Sequence, residues 1–272
     1  MYRLFAKILA GLIATVVLAV GALALVVSYN AACEPPPPAA DGASSFTAVM
    51  QRCYGDADII TVETVAKPEL AESDVLVRVH AASVNPLDKH FLHGTPYLLR
   101  LVNGLNAPQS PRMGADFAGV VEAVGSGVTR FEPGDAVFGV ANGAFAEYVV
   151  RSETGGMALK PANLSFEQAA ALPVAAITAL QALRDKAQVQ PGQHVLINGA
   201  SGGVGSYAVQ LAKAMGATVT AVCSGRNAEL VRALGADRVI DYTQLSIWSA
   251  TMPSRTYWVS PSRMACWCWS AP

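Results

Sequence analysis

The stretch HVLINGASGGVGSYAVQLAKAMGA, residues 194–217, decides the fold. It opens as a short apolar strand, passes through glycines at 199, 202, 203 and 205, and continues as an Ala/Leu-rich helix. Glycines at a strand-to-helix junction allow a tight turn and let backbone N–H groups approach a pyrophosphate. They also present the positive helix N-terminus to it. Downstream, TVTAVCS (218–224), NAELVRALGA (227–236) and DRVIDY (237–242) supply strand, helix and strand at the spacing of one β-α-β-α-β half of a Rossmann, doubly wound parallel sheet. Upstream, SFEQAAALPVAAITALQALRDKA (165–187) reads as helix with Ser165 as N-cap.

The end of the second strand bears on cofactor choice. An NAD site usually places Asp or Glu there for the ribose 2′-OH, whereas this chain has Cys223–Ser224–Gly225–Arg226. A hydroxyl and a cation suit a 2′-phosphate, which points to NADPH.

Residues 61–150 have a different period. VLVRVHAASVN (75–85) alternates, FAGVVEAVGSGVTRFEPGDAVFGV (117–140) holds two strands broken at Gly125 and at Pro133–Gly134–Asp135, and FAEYVV (145–150) adds another. Such spacing predicts a compact antiparallel barrel or sandwich.

Residues 8–28, ILAGLIATVVLAVGALALVVS, contain no charged side chain, and about 20 apolar residues suffice to cross a bilayer as a helix. The expected reading is an uncleaved single-pass anchor. The alternatives are a long secretory signal ending at Ala31 and Ala32, and a lipoprotein signal at Cys33, which Asn30 disfavours. Arg3 and Lys7 precede the span and the next basic residue is Arg52, so the charge bias places the N-terminus in the cytoplasm and the body outside, whereas NADPH is expected inside the cell. Glu34 and the prolines at 35–38, followed by AADG, read as a stiff spacer and then a flexible one, so the body begins near Phe46.

Across all 272 residues, 19 basic side chains face 20 acidic ones, 52% of residues are hydrophobic and 14% charged, which excludes a disordered polyelectrolyte and a nucleic-acid binder working through bulk charge. The mean hydropathy of +0.34 is high, and the span explains part of it. Five cysteines, an odd number, set no disulfide framework.

With these residues in place, the chain resembles the medium-chain dehydrogenase/reductase superfamily, in its zinc-free quinone-oxidoreductase-like branch. The match is carried by VLVRVHAASVNPLD (75–88), GADFAGVVEAVGSGVTRFEPGDAVFG (114–139), GAFAEYVV (143–150), ALPVAAITALQAL (171–183), the 194–217 segment and LGADRVIDY (234–242), in unbroken order. The resemblance implies a GroES-like β-barrel domain (46–164) after the anchor and linker (1–45), then a partial Rossmann domain (165–244). It implies reduction of small hydrophobic enones, quinones or carbonyls by NADPH, in a chain that pairs as a homodimer. Gly199, Ala200, Ser201, Gly202, Gly203, Val204 and Gly205 would cradle the pyrophosphate, and Ser224, Arg226 and Tyr242 would contact the 2′-phosphate. Thr178 would lie by the nicotinamide, and Asn85 with Asp88 would line the substrate side, although Asn-Pro and Asp are also ordinary turn formers. Tyr97 or water would supply the proton. No metal is expected: Ser83 and Asn85 stand near where zinc-dependent relatives carry Cys, Gly114–Ala115–Asp116 replaces Gly-His-Glu, and His90 and His93 read as surface histidines.

After Gln244 the sequence LSIWSATMPSRTYWVSPSRMACWCWSAP departs from that family. It holds all four tryptophans, two cysteines and no acidic residue, and shows neither strand alternation nor helical period. Reading residues 264–270 from the third base of each codon gives a Gly-Val-Leu-Val-Leu-Val type of run, a buried parallel strand. The expectation is a frameshifted tail (245–272), an incomplete Rossmann sheet with an exposed apolar edge, and as the alternative to an active reductase, an impaired membrane-tethered dinucleotide-binding module.

Overall fold

The computed structural model describes residues 2–36, 45–244, 256–259 and 267–268. The second part of the Pro-rich spacer and most of the tail lie outside these residues. The chain divides into two units, residues 1–170 and 171–272.

The first unit starts with helix α1, Tyr2–Ser28. Within it, residues 9–26 have a mean hydropathy of 2.7, and none of that stretch is buried among the described residues. After it come the hairpin β1 (Ser45–Met50) and β2 (Thr61–Ala66), then β3 (Asp74–Ser83), helices α2 (Pro86–His93) and α3 (Arg100–Asn103), β4 (Asp116–Val124), β5 (Ala136–Val140), β6 (Tyr148–Ser152), β7 (Met157–Leu159) and α4 (Phe166–Ala170). Strands β3 to β7 form an antiparallel sheet in the order β6-β3-β4-β5-β7. Alternation sends Val75, Val77, Phe117, Val121, Val137 and Val149 into one core.

The second unit contains α5 (Pro173–Leu180), β8 (His194–Asn198), α6 (Gly203–Ala214), β9 (Thr218–Cys223), α7 (Ala228–Ala233), β10 (Arg238–Asp241), β11 (Thr256–Val259) and β12 (Trp267–Cys268). The expected helix over 165–187 is split. It breaks at Ala171–Leu172, because Pro173 has no N–H to bond back into the preceding turn and favours the first turn of a new helix, while Leu172 itself keeps helical dihedrals. Strands β10, β9 and β8 are parallel and share a core with α5 and α6 that includes Leu183, Val195, Ile197, Val209, Val219 and Val231. Burial of Val195, Leu196 and Ile197 on β8 and of Val219, Ala221 and Cys223 on β9 explains why VLI and VTAVC carry so few polar residues.

The structure adds to the expectations at two points. The tail was expected to lack strand pattern, but Thr256–Val259 pairs in parallel with β8 and Trp267–Cys268 adds an antiparallel edge, giving the order β10-β9-β8-β11-β12. TYWV is a β-branched and aromatic run too short for alternation to be read, yet long enough to cover the β8 edge. The cysteine count set no disulfide framework, and the structure supplies one bond that the count did not point to: Cys33 is joined to Cys53 with Cα atoms 4.8 Å apart. Tertiary contacts bring the two together. The Ala31 amide donates to the Asn106 carbonyl (2.9 Å), Asn30 Nδ2 donates to the Tyr54 carbonyl (3.3 Å), and Arg100 Nη1 donates to the Tyr29 carbonyl (3.2 Å). The chain just beyond α1 is therefore fastened to the first unit at Tyr29, Asn30, Ala31 and Cys33.

Next to that closure, Arg52 makes a bidentate pair with Glu63, Nε to Oε1 at 3.1 Å and Nη2 to Oε2 at 2.6 Å, and Thr61 Oγ1 also donates to Glu63 at 2.7 Å. The Arg52 guanidinium holds the nearly buried Glu63 carboxyl below the usual carboxylate range. A depressed folded value means that this contribution is complete above the unfolded carboxylate pKa, about 4.3, and is lost as pH falls through the folded value. Arg52→Ala leaves a buried charge unpaired and should lower stability by about 3–5 kcal/mol at neutral pH. Glu63→Gln should flatten the acid limb of the profile, and chemical denaturation followed from pH 7 down to 3 checks both outcomes.

Candidate dinucleotide site

Gly199 leaves β8 with φ +71°, the left-handed region that glycine enters without penalty. The Gly202 amide returns to the Gly199 carbonyl (2.9 Å) and the Ala200 amide reaches across to the Val222 carbonyl (3.1 Å), which closes the turn onto β9. Gly202 caps α6 in extended conformation with no side-chain bond. The first helical amide bonded back is that of Ser206, to the Gly202 carbonyl (2.9 Å), so the amides of Gly203, Val204 and Gly205 have no partner within the helix. These are the groups that an anion would take up.

The glycines differ in what they do. A Cβ on Gly205 would run into the carbonyl oxygen of Gly199, so this residue lets α6 pack against the loop. A Cβ on Gly202 would lie 3.3 Å from the same oxygen, whereas one on Gly203 meets nothing within 4 Å. The space in front of Gly203 is open, and the expected pyrophosphate cradle falls on it.

Strand register brings together the residues expected at the adenosine end. Asp241 pairs with Cys223, so Ser224 and Tyr242 follow side by side at the carboxyl ends of β9 and β10, with Arg226 exposed beyond them. Two contributors escaped the sequence reading. Asn227 Nδ2 donates to Ser201 Oγ (3.0 Å) and to Ser224 Oγ (3.2 Å), tying the glycine loop to the end of β9. Asp241 lies against Gly225, where a Cβ would strike its carboxylate, and hydrogen bonds from Thr243 hold that carboxyl below its ordinary value. Asn227, an Asn just before a helix, carried a capping signal; Asp241 carried none, because its role depends on strand register. Burial pushes the Cys223 thiol up, which makes it a packing residue. Thr178 sits on α5, which packs on α6, and its hydroxyl donates to the Val174 carbonyl of its own helix (2.6 Å).

In the first unit, Asn85 caps α2. Its Oδ1 accepts from the Leu87 amide (2.9 Å) and its own amide donates to Asp88 Oδ2 (2.8 Å), the reciprocal pairing of a capping box. Asn85 Nδ2 (3.1 Å) and Ser83 Oγ (3.0 Å) both donate to Asp116 Oδ2, which is buried at the start of β4. Asp88 is 6% exposed, and burial raises its carboxyl against the restraining amide of Asn85. It borders a cavity of about 20 Å³ with Gln51 and Arg112, room for a single water. Asp88 thus holds Asn85 in place. Tyr97 is set apart from this cluster, beside Leu25 and Ser28 of α1.

A β domain followed by a β-α-β dinucleotide fold is the class these two units define. Residues 71–161 match the alcohol dehydrogenase GroES-like domain family, and residues 203–257, reaching into the tail, match the zinc-binding dehydrogenase family. The chain is 41% identical over 209 residues to a chloroplastic quinone-oxidoreductase homolog of Spinacia oleracea, covering 74% of this chain and 62% of that one. It is 36% identical over 217 residues to a trans-enoyl reductase of Aspergillus terreus (71% and 59%). The solved quinone oxidoreductase of Coxiella burnetii superposes with a TM-score of 0.66 at 37% identity, covering 74% of this chain and 64% of that one. The chain belongs to the medium-chain dehydrogenase/reductase superfamily, in its quinone-oxidoreductase-like branch. It spans about half to three fifths of the length of the curated relatives it matches. Despite the second family's title, the described residues gather no group of three or more His, Cys, Asp or Glu side chains able to hold a metal. Ser83, Asn85 and Asp116 offer a hydroxyl, an amide and one carboxylate, which does not fit a zinc site.

The glycine geometry separates folding from binding. Gly203→Ala should leave the fold intact and weaken dinucleotide binding, because its methyl enters the open cradle. Gly205→Ala should cost about 1–3 kcal/mol of stability through overpacking against Gly199. Thermal unfolding beside cofactor titration reads the two effects, and equal stability losses would show that the cradle is only a turn.

Proposed function

We propose that the chain is an NADPH-dependent, metal-independent reductase of small hydrophobic enones, quinones or aldehydes, anchored in a membrane by residues 8–28. The observation that carries the reading is the open cradle before Gly203 with three amides of α6 facing it. Gly199, Ala200, Ser201, Gly202, Gly203, Val204 and Gly205 hold the pyrophosphate, and Ser224, Arg226 and Tyr242 hold the 2′-phosphate. When bound, reduced nicotinamide supplies the hydride.

The chain's own residues orient and polarise. Thr178 borders the nicotinamide ring, and its bond to the Val174 carbonyl fixes the hydroxyl's direction. Asn85, held by the capping box and by Asp116, lines the substrate side and stabilises developing oxyanion charge through its amide. The structural work done by Asp88 and the position of Tyr97 beside α1 favour water as the proton source.

Relatives named quinone oxidoreductase and trans-enoyl reductase support the substrate class. A second reading is a dinucleotide-binding module without reductase activity. The Asp241 carboxylate against Gly225 favours a competing preference for NADH, because negative charge there opposes a 2′-phosphate.

The Cys33–Cys53 disulfide suits an oxidising compartment and agrees with the charge bias that places the body outside the cytoplasm. Protease protection on sealed vesicles tests that side.

NADPH should bind more tightly than NADH, and Arg226→Ala should shrink the difference by about 1–3 kcal/mol, the scale of a charge-assisted hydrogen bond. Titrating both cofactors against both proteins measures it, and equal affinities in the unmutated chain would remove the 2′-phosphate assignment. NADPH oxidation with a panel of enones and quinones separates the reductase from the inert module.

A further inference from the structure

The segment after α2 is turned inside out. Leu98 is 77% exposed, Leu101 55% and Val102 74%, at i, i+3 and i+4 along a short helical run, and Leu105, past the helix-ending Gly104, is 43% exposed, while Arg100 between them is 2% exposed. The guanidinium is fully occupied inward. Its Nε donates to the Gly94 carbonyl (2.8 Å), its Nη2 to the His93 carbonyl (3.3 Å) and its Nη1 to the Tyr29 carbonyl (3.2 Å), and it stacks 4.3 Å from the Tyr54 ring centroid. A segment facing water would carry the charge outside and the leucines inside.

We infer that residues 97–105 form a platform that dips into the bilayer interface beside α1, so that the β domain lies on the membrane instead of hanging from it. The inference rests on the reading of residues 8–28 as an anchor and deepens it by naming the lipid surface as the partner of the domain itself. Continuity with α1 identifies the occupant. Arg100 grips Tyr29, the first residue beyond the helix, and the Ala31 amide bonds the Asn106 carbonyl, so the platform is fastened at the level where the chain leaves the hydrocarbon. Tyr97 lines an open apolar groove with Leu18, Leu25 and Ser28 of α1. Tyr29 (62% exposed) and Tyr97 (50%) place two aromatic side chains at this level, where membrane proteins concentrate them. No Asp or Glu occurs between Asp88 and Asp116, so no carboxylate in this stretch opposes an anionic headgroup layer. A large exposed apolar stripe flanked by polar structure is a docking feature, and an amphipathic segment lying in the interface plane has this composition.

The test uses the full chain reconstituted in phosphatidylcholine/phosphatidylglycerol vesicles, with the photo-crosslinker p-benzoylphenylalanine placed singly at Leu98, Val102, Leu18 or Glu132. Glu132 is an exposed control on the turn after β4, at the end of that strand away from Asp116. The expected result is lipid adducts at Leu98 and Val102 with a yield comparable to Leu18, and background only at Glu132. Background yield at Leu98 and Val102 with strong capture at Leu18 would overturn the platform while leaving the anchor standing. Background at Leu18 as well would overturn the anchor and the platform with it. Protein–protein adducts at Leu98 or Val102 in place of lipid would assign the stripe to a second copy of the chain and also overturn the proposal.

Discussion

Close approach of α6 to the Gly199 carbonyl is the constraint on which the dinucleotide unit depends. The helix can start where β8 ends only if residue 205 has no side chain, since a Cβ there would strike that oxygen. Once the helix starts there, the amides of Gly203, Val204 and Gly205 gather at its N-terminus, and the cradle and its positive field follow from the packing. The same turn bonds Ala200 to Val222 of β9, so the adenosine end of the site is set by the sheet that builds the core.

In the first unit a buried cation has the corresponding role. Arg100 gathers the carbonyls of Tyr29, His93 and Gly94 and stacks on Tyr54, so that the exit of α1, the end of α2 and the loop before β2 meet at one guanidinium. The Cys33–Cys53 bond closes the same junction covalently, two residues after Ala31 bonds Asn106. A domain fastened this closely to the end of an apolar helix has little freedom to swing. That rigidity is what gives an outward-facing stripe of leucines a defined orientation.

Asn85 and Asp88 have a structural role that the proposed chemistry would build on. Both belong to a capping box, in which Asp88 is buried and its Oδ2 takes the Asn85 amide, while its buried Oδ1 finds no partner among the described residues. Asn85 is only half-buried, and its amide is oriented by Asp116. Rigid orientation of a hydrogen-bond donor is what stabilisation of developing charge requires, because no reorganisation remains at the moment of reaction.

Much of this protein was determined by the sequence alone. The 194–217 glycine pattern, the strand spacing of residues 75–150 and the charge-free run at 8–28 are local signals, since periodicity, turn chemistry and length act within a few residues. The glycine turn between β8 and α6 was legible for the same reason, whereas the neighbouring placement of Ser224 and Tyr242 depends on the register of β9 and β10. Other features needed the tertiary structure because their physics is non-local. Cys33 and Cys53 are 20 residues apart in an odd set, and only the docking of Tyr29–Ala31 on Arg100 and Asn106 brings them together. Asp241 reaches Gly225 through strand register, and Thr256–Val259 becomes a strand because the β8 edge is open to it. The inward Arg100 among outward leucines could not be read from residues 97–105 themselves: periodicity gives a stripe, and only burial decides which side of it faces the protein.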